Sequence, residues 1–192
     1  MAYTTINYPQ QYFQTVLYTG NETNRTITLD DTDANTDPDF VWIKARNDAN
    51  SHELFDSVRG VQKPLYTDSN GAEGSTSDSL TAFNTDGFNL GAGGGINGNS
   101  DTLVAWCWKG GTTSGITTGG ASVTPAGYSF SAAAGQSIIT WTGTGSNLTV
   151  PHGLGTALGA MFVKCTSTTG DWVFFHKTMG GAYGMELPST SG

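Results

Sequence analysis

The stretch PDFVWIKARNDANSHELFDSVRG, Pro38 to Gly60, decides the fold because the chain states it twice. It reads as two apolar strands joined by a polar connection. LGAMFVKCTSTTGDWVFFHKTMGG, Leu158 to Gly181, repeats the pattern. Lys44 answers Lys164, Phe55 answers Phe175 and Gly60 answers Gly180, all at one constant offset. Between these anchors Trp42 answers Phe162, Ile43 answers Val163 and Leu54 answers Phe174. A register held over a whole hairpin marks two copies of one module. Arg46, His52, Glu53 and Arg59 give way in the second copy to Thr166, Trp172, Val173 and Met179. The copies share packing residues, so the hairpin is scaffold, and recognition belongs to loops that differ.

The repeat reaches outward on both sides. YFQTVLYT, Tyr12 to Thr19, is a strand closing on Gly20-Asn21, and SIITWT, Ser137 to Thr142, closing on Gly143, is its counterpart. The first copy is three residues longer between this strand and the hairpin. Thr26–Leu29 and Asn147–Val150 both alternate as strands do. Beyond the hairpin, Lys63–Thr67 makes a short strand, and LTAFNTDGFNL, Leu80 to Leu90, folds back at Asp86-Gly87. GAGGGINGNSD is too rich in glycine for a regular element. TLVAWCW, Thr102 to Trp108, closes the module as a strand apolar enough to be buried on both faces.

From Gly110 to Ala134 no residue is charged, and the composition is that of a flexible linker. The expected division is a first β-sandwich over residues 1–109, a Gly/Ser/Thr-rich linker over 110–128, and a second, incomplete sandwich over 129–192. The first module needs Leu80–Leu90 and Thr102–Trp108 to close its sheets, and the second lacks their equivalents. Open edges and an uncovered face are a liability. The expectation is therefore that the chain is an N-terminal piece of a longer polypeptide, or that another chain supplies the missing strands.

Composition supports an all-β protein. Charged residues make up only 12% of the 192, while five Trp, seven Tyr and nine Phe sit among abundant glycine and other turn formers. The formal net charge is −8. The acidic excess lies wholly before residue 110, since Lys164, Lys177, Asp171 and Glu186 cancel. Such a surface repels phosphate backbones, which argues against nucleic acid as a partner. No apolar run approaches the length of a spanning helix, so no membrane insertion is expected. MAYTTINYPQQ has neither a basic n-region nor an apolar h-region, so no secretion signal is expected in it. Cys107 and Cys165 stand at non-equivalent positions and read as buried free thiols.

Catalytic chemistry finds no assembled set. The four glutamates, Glu22, Glu53, Glu73 and Glu186, do not pair with another acid on alternate strand positions. Ser51-His52-Glu53 has the residue types of a triad, but sequence neighbours cannot face one another in relay geometry. His152 and His176 share no carboxylate spacing. No catalytic or cofactor-binding residue is assigned, and the protein is not expected to be an enzyme. Asp31-x-Asp33-x-Asn35 begins like a calcium loop, but Thr36 stands where a glycine is needed and Trp42 where the bidentate glutamate should be. A solvated acidic loop is the better reading, with no metal. Trp42, Trp106, Trp108, Trp141 and Trp172 could stack on sugar rings, yet packing explains them and core is the expectation.

Taken together, MAYTTINYPQQYFQTVLYTGN, PDFVWIKARN…SHELFDSVRG, TAFNTDGFNLG and LVAWCWKGG resemble modules repeated in tail-fibre and appendage proteins of marine bacteriophages. Those modules are similar to concanavalin A-like lectin/glucanase sandwiches. SIITWTGTGSNLTVPHGLG…VKCTSTTGDWVFFH resembles the next module of such proteins. The resemblance implies an all-β jelly-roll sandwich followed by part of a second. It implies a virion structural protein, a tail fibre or related appendage, that attaches to the particle and contributes to host recognition. Its implied partners are other tail or capsid proteins, further copies as a homotrimer, and a host surface glycan or receptor. It supplies no binding residue. The alternatives are a capsid decoration protein with glycan-binding modules and a polysaccharide-degrading enzyme of the glucanase type.

Overall fold

Alternating β-branched and aromatic residues form thirteen strands among the described residues, and the pairing between these strands is antiparallel. The computed structural model describes residues 6–29, 36–181 and 183–187. Five strands form the large sheet, in the order β1 (Phe13–Thr19), β8 (Thr102–Trp108), β3 (Phe40–Ala45), β4 (Glu53–Asp56) and β5 (Gly60–Tyr66). Three more, β2 (Arg25–Thr28), β7 (Gly87–Leu90) and β6 (Leu80–Asn84), form the sheet that covers it.

One apolar cluster joins the two sheets. Val41, Ile43 and Phe55 of the large sheet and Leu80, Phe88 and Leu90 of the small one are all at most 1% exposed. This is an antiparallel β-sandwich, the architecture expected from the composition.

The second half builds a hairpin, β9 (Gly127–Ser131) with β10 (Gln136–Thr140), and a three-stranded sheet, β11 (Ala160–Val163), β12 (Trp172–His176) and β13 (Met185–Leu187). The uncharged segment before it is tethered as well as turning. Gly110 N donates to Asp39 Oδ2, Gly111 N to Ser129 Oγ, and Thr112 bridges to Phe130.

The repeat is kept in the pairing as well as in the residues. In the first copy Val41 faces Phe55, Trp42 faces Leu54 and Ile43 faces Glu53. In the second, Met161 faces Phe175, Phe162 faces Phe174 and Val163 faces Val173, each at the equivalent position. The third strand follows suit, since Glu53 with Tyr66 and Leu54 with Leu65 become Val173 with Glu186 and Phe174 with Met185. Ser57 N donates to Asp39 O, and Lys177 N to Gly159 O. Gly60 and Gly180 both hold positive φ, +92° and +83°, where a Cβ would be strained. The shared lysine has a job in both copies. Lys44 Nζ donates to Ala45 O and Asp48 O, Lys164 Nζ to Cys165 O and Gly170 O, closing the turn after the first strand.

Two local expectations fail. Asn147–Val150 forms no strand, because the sheet that β2 joins in the first module has no equivalent beside it. The glycine-rich run holds one helical turn, α1 (Gly94–Asn97). Side-chain hydrogen bonds explain it. Buried Asn97 donates to Thr23 O and Gly91 O and accepts from Asn21 N, while Tyr18 donates to Ile96 O. Here glycine serves close approach, since a Cβ on Gly20 would overlap the carbonyl of Gly98.

Candidate functional site

Along β8 the side chains alternate in size, and that alternation sorts them by face. Leu103, Ala105 and Cys107 point into the sandwich and are fully buried. Trp106 and Trp108 stand on the other side, half-buried, with Phe13 of β1 opposite Trp108, and Phe40 and Trp42 of β3 opposite Trp108 and Trp106. The core placement expected for Trp106 and Trp108 is therefore corrected, because the W-x-W spacing puts both on the outward face of the strand, whereas Trp42 packs against the buried cluster of Leu54, Leu65 and Trp172.

These rings touch across the strands. Phe13 lies 4.8 Å from Trp108 between ring centroids, Phe40 5.1 Å from Trp108 edge-on, and Trp42 5.7 Å from Trp106. Such cross-strand pairs stabilise a sheet by about 0.5–1.5 kcal/mol each beyond their burial. They fall into two groups on this face, Phe13–Trp108–Phe40 and Trp106–Trp42. At its β1 end Leu17 is 63% exposed and Phe13 40%. At its β4–β5 end the second module covers it. Trp172 packs on Leu54 and Leu65 and donates its Nε1 hydrogen to Tyr66 O. Gly170 N and Lys164 Nζ both donate to Asn70 O, and Glu73 N to Thr166 O.

Between the open and covered parts sit two polar atoms that are buried without a hydrogen-bond partner, Trp42 Nε1 and His52 Nδ1. Their rings are 5.9 Å apart. Burial lowers the His52 pKa, so the ring is neutral. Groups of this kind cost free energy until something hydrogen-bonds to them. The exposed aromatic faces suit a ligand with apolar C–H faces.

The other singled-out residues do not converge. Glu53 points inward from β4 while His52 packs against Trp42 on the opposite face, so Ser51-His52-Glu53 makes no relay. His152 Nδ1 accepts from Leu154 N in an open groove of about 580 Å³ lined by Thr117, Thr149 and Phe130, and His176 Nδ1 contacts Thr178. Glu73 pairs with Arg59, which also binds Asp56 at 2.6 Å. Among the described residues no three His, Cys, Asp or Glu side chains gather as metal ligands. Asp31, Asp33 and Asn35, the calcium-like run, lie outside the described residues. Both cysteines are free. Cys107 is buried as expected, whereas Cys165 is exposed, because the face that would cover it carries no second sheet.

From residue 8 to residue 192 the chain matches a family described as "Domain of unknown function (DUF7483)". The chain belongs to this family. The DUF7483 match takes in both repeats, from ahead of β1 to beyond β13. No curated protein and no solved structure matches the chain.

Proposed function

We propose that this DUF7483 chain is a virion structural protein, a phage tail fibre or related appendage, whose outward aromatic face contacts a host surface glycan. The observation that carries the binding role is the outward aromatic set, Phe13, Trp108 and Phe40 beside Trp106 and Trp42. A pyranose ring would stack its C–H face on the exposed parts of these rings. The structural role and the jelly-roll relationship rest on the resemblance of the repeated modules to phage appendage proteins. Repetition of one sandwich unit along a chain suits a protein that spans distance. The same resemblance makes other tail or capsid proteins, and further copies in a homotrimer, its partners on the particle.

Titrating the protein with polysaccharide from a susceptible host, read by tryptophan fluorescence, tests the binding role. Saturable quenching that falls at least about tenfold in affinity for Trp106→Ala supports it. Binding that the substitution leaves unchanged sinks the assignment of the face. Release of reducing ends during incubation would overturn the non-enzymatic reading. Immunogold labelling of intact particles tests the location, and label absent from the virion refutes it.

A further inference from the structure

The sheet β11–β12–β13 reproduces β3–β4–β5 in register, yet it lacks the neighbour that β3 has. In the first copy all of Phe40–Ala45 pairs with Leu103–Trp108 of β8. In the second, β11 pairs with β12 alone among the described residues. The side chains record the difference. Val41 is fully buried, whereas its counterpart Met161 is 38% exposed, and Phe162, the counterpart of Trp42, is 58% exposed.

The hydrogen-bonding direction of the free edge follows from the same equivalence. Arg46 N donates to Thr102 O at 2.7 Å. Alternation along an antiparallel ladder then turns the N–H groups of Phe40, Trp42 and Lys44 toward β8. Their counterparts Ala160, Phe162 and Lys164 therefore present their N–H groups at the open edge. Ala160–Val163 carries no charge, and neither does the strand that fills this place in the first copy, Thr102–Trp108. An uncharged, apolar, unpaired edge is a template for strand addition.

We propose that β11 is a receiving edge for one extended strand, antiparallel and of the chemistry of β8. That chemistry is an uncharged segment of about seven residues with bulky aromatic side chains on one face and small apolar ones on the other. The donated strand pairs with β11 as β8 pairs with β3, and it buries Met161 and Phe162.

The test uses the full chain and a synthetic peptide of the Thr102–Trp108 sequence, flanked by lysines and with serine for the cysteine. A control peptide is N-methylated at the residues matching Val104 and Trp106, whose N–H groups would face β11. Amide exchange by mass spectrometry is the readout. The expected result is saturable slowing, by about tenfold or more, confined to residues around Ala160–Val163, with none from the N-methylated peptide. Phe162→Pro should abolish it while exchange in β12 and β13 is unchanged, since the lost N–H faces the edge. Protection of β1 or β3, equal protection by the methylated peptide, or no saturation overturns the proposal. Protection of β11 that rises with protein concentration alone also overturns it, in favour of self-pairing.

Discussion

Glu53→Gln tests the interior of the sandwich most directly. Glu53 lies on β4 with 8% of its surface exposed, beneath the glycine-rich turn, where a Cβ on Gly95 would overlap its carboxylate. Burial, then repulsion from Asp78 and Asp68, pushes its pKa from 4.5 to about 7. In the unfolded chain the group ionises near 4.5, while the folded chain holds its proton until about 7. Folding therefore takes up a proton between these values, and stability falls as pH rises through that window. At about 1.4 kcal/mol per pH unit the loss at pH 8 has a ceiling of about 3 kcal/mol. Glutamine fills the same volume without a charge to desolvate. Urea unfolding followed by tryptophan fluorescence, from pH 4 to pH 8, should show wild type and Glu53→Gln alike at pH 4. The variant should be more stable by up to about 3 kcal/mol at pH 8. A difference between them that does not change with pH would refute the reasoning, since every other titrating group is common to both.

Asn97→Ala should cost about 2–4 kcal/mol in a thermal or urea melt, because it strands the buried groups that Asn97 satisfies at Asn21, Thr23 and Gly91. Arg59→Ala should cost about 3–5 kcal/mol, since it leaves the Asp56 carboxylate, 5% exposed, without its partner. Iodoacetamide at pH 7 should alkylate Cys165 and spare Cys107 in the folded protein. Hydrogen bonds from Thr168 and Ser167 bring the exposed Cys165 thiol down to about 6, while burial pushes Cys107 up to about 12. Thr168→Val should slow the reaction, and equal labelling of the two thiols would contradict this account.

Much of the fold was legible because it is written in periodicities. The constant offset from Lys44 to Lys164 marked the repeat, and the structure extends it to β13, where the residues of Gly60–Tyr66 and their counterparts have little in common beyond the leading glycine. There the match lies in backbone pairing, which side-chain identity does not report. The turn at Gly94–Asn97 was hidden for a related reason. Glycine content argues for a loop, and only the contacts of Asn97 with Asn21, Thr23 and Gly91 say otherwise. The aromatic face was misassigned although its signal was present. TLVAWCW looks uniformly apolar, but its bulky residues fall on one face and its smaller ones largely on the other. Reading size along with hydropathy separates a surface from a core. That Cys165 would be exposed could not be read locally, because its cover depends on strands far away in sequence.

The contact made by Trp172 has a direction. It sets one ring of the second repeat against the outward face of the first at Leu54 and Leu65. The counterparts of those two residues are Phe174 and Met185, so the second repeat carries its own version of the receiving face. The first repeat does not carry the inserting ring, since His52 stands where Trp172 stands. Trp172 stands two residues from Phe174 on β12 and projects from that same face, so the repeats meet through equivalent faces that differ in this ring. One histidine in place of one tryptophan thus decides which repeat supplies the anchoring ring and which receives it.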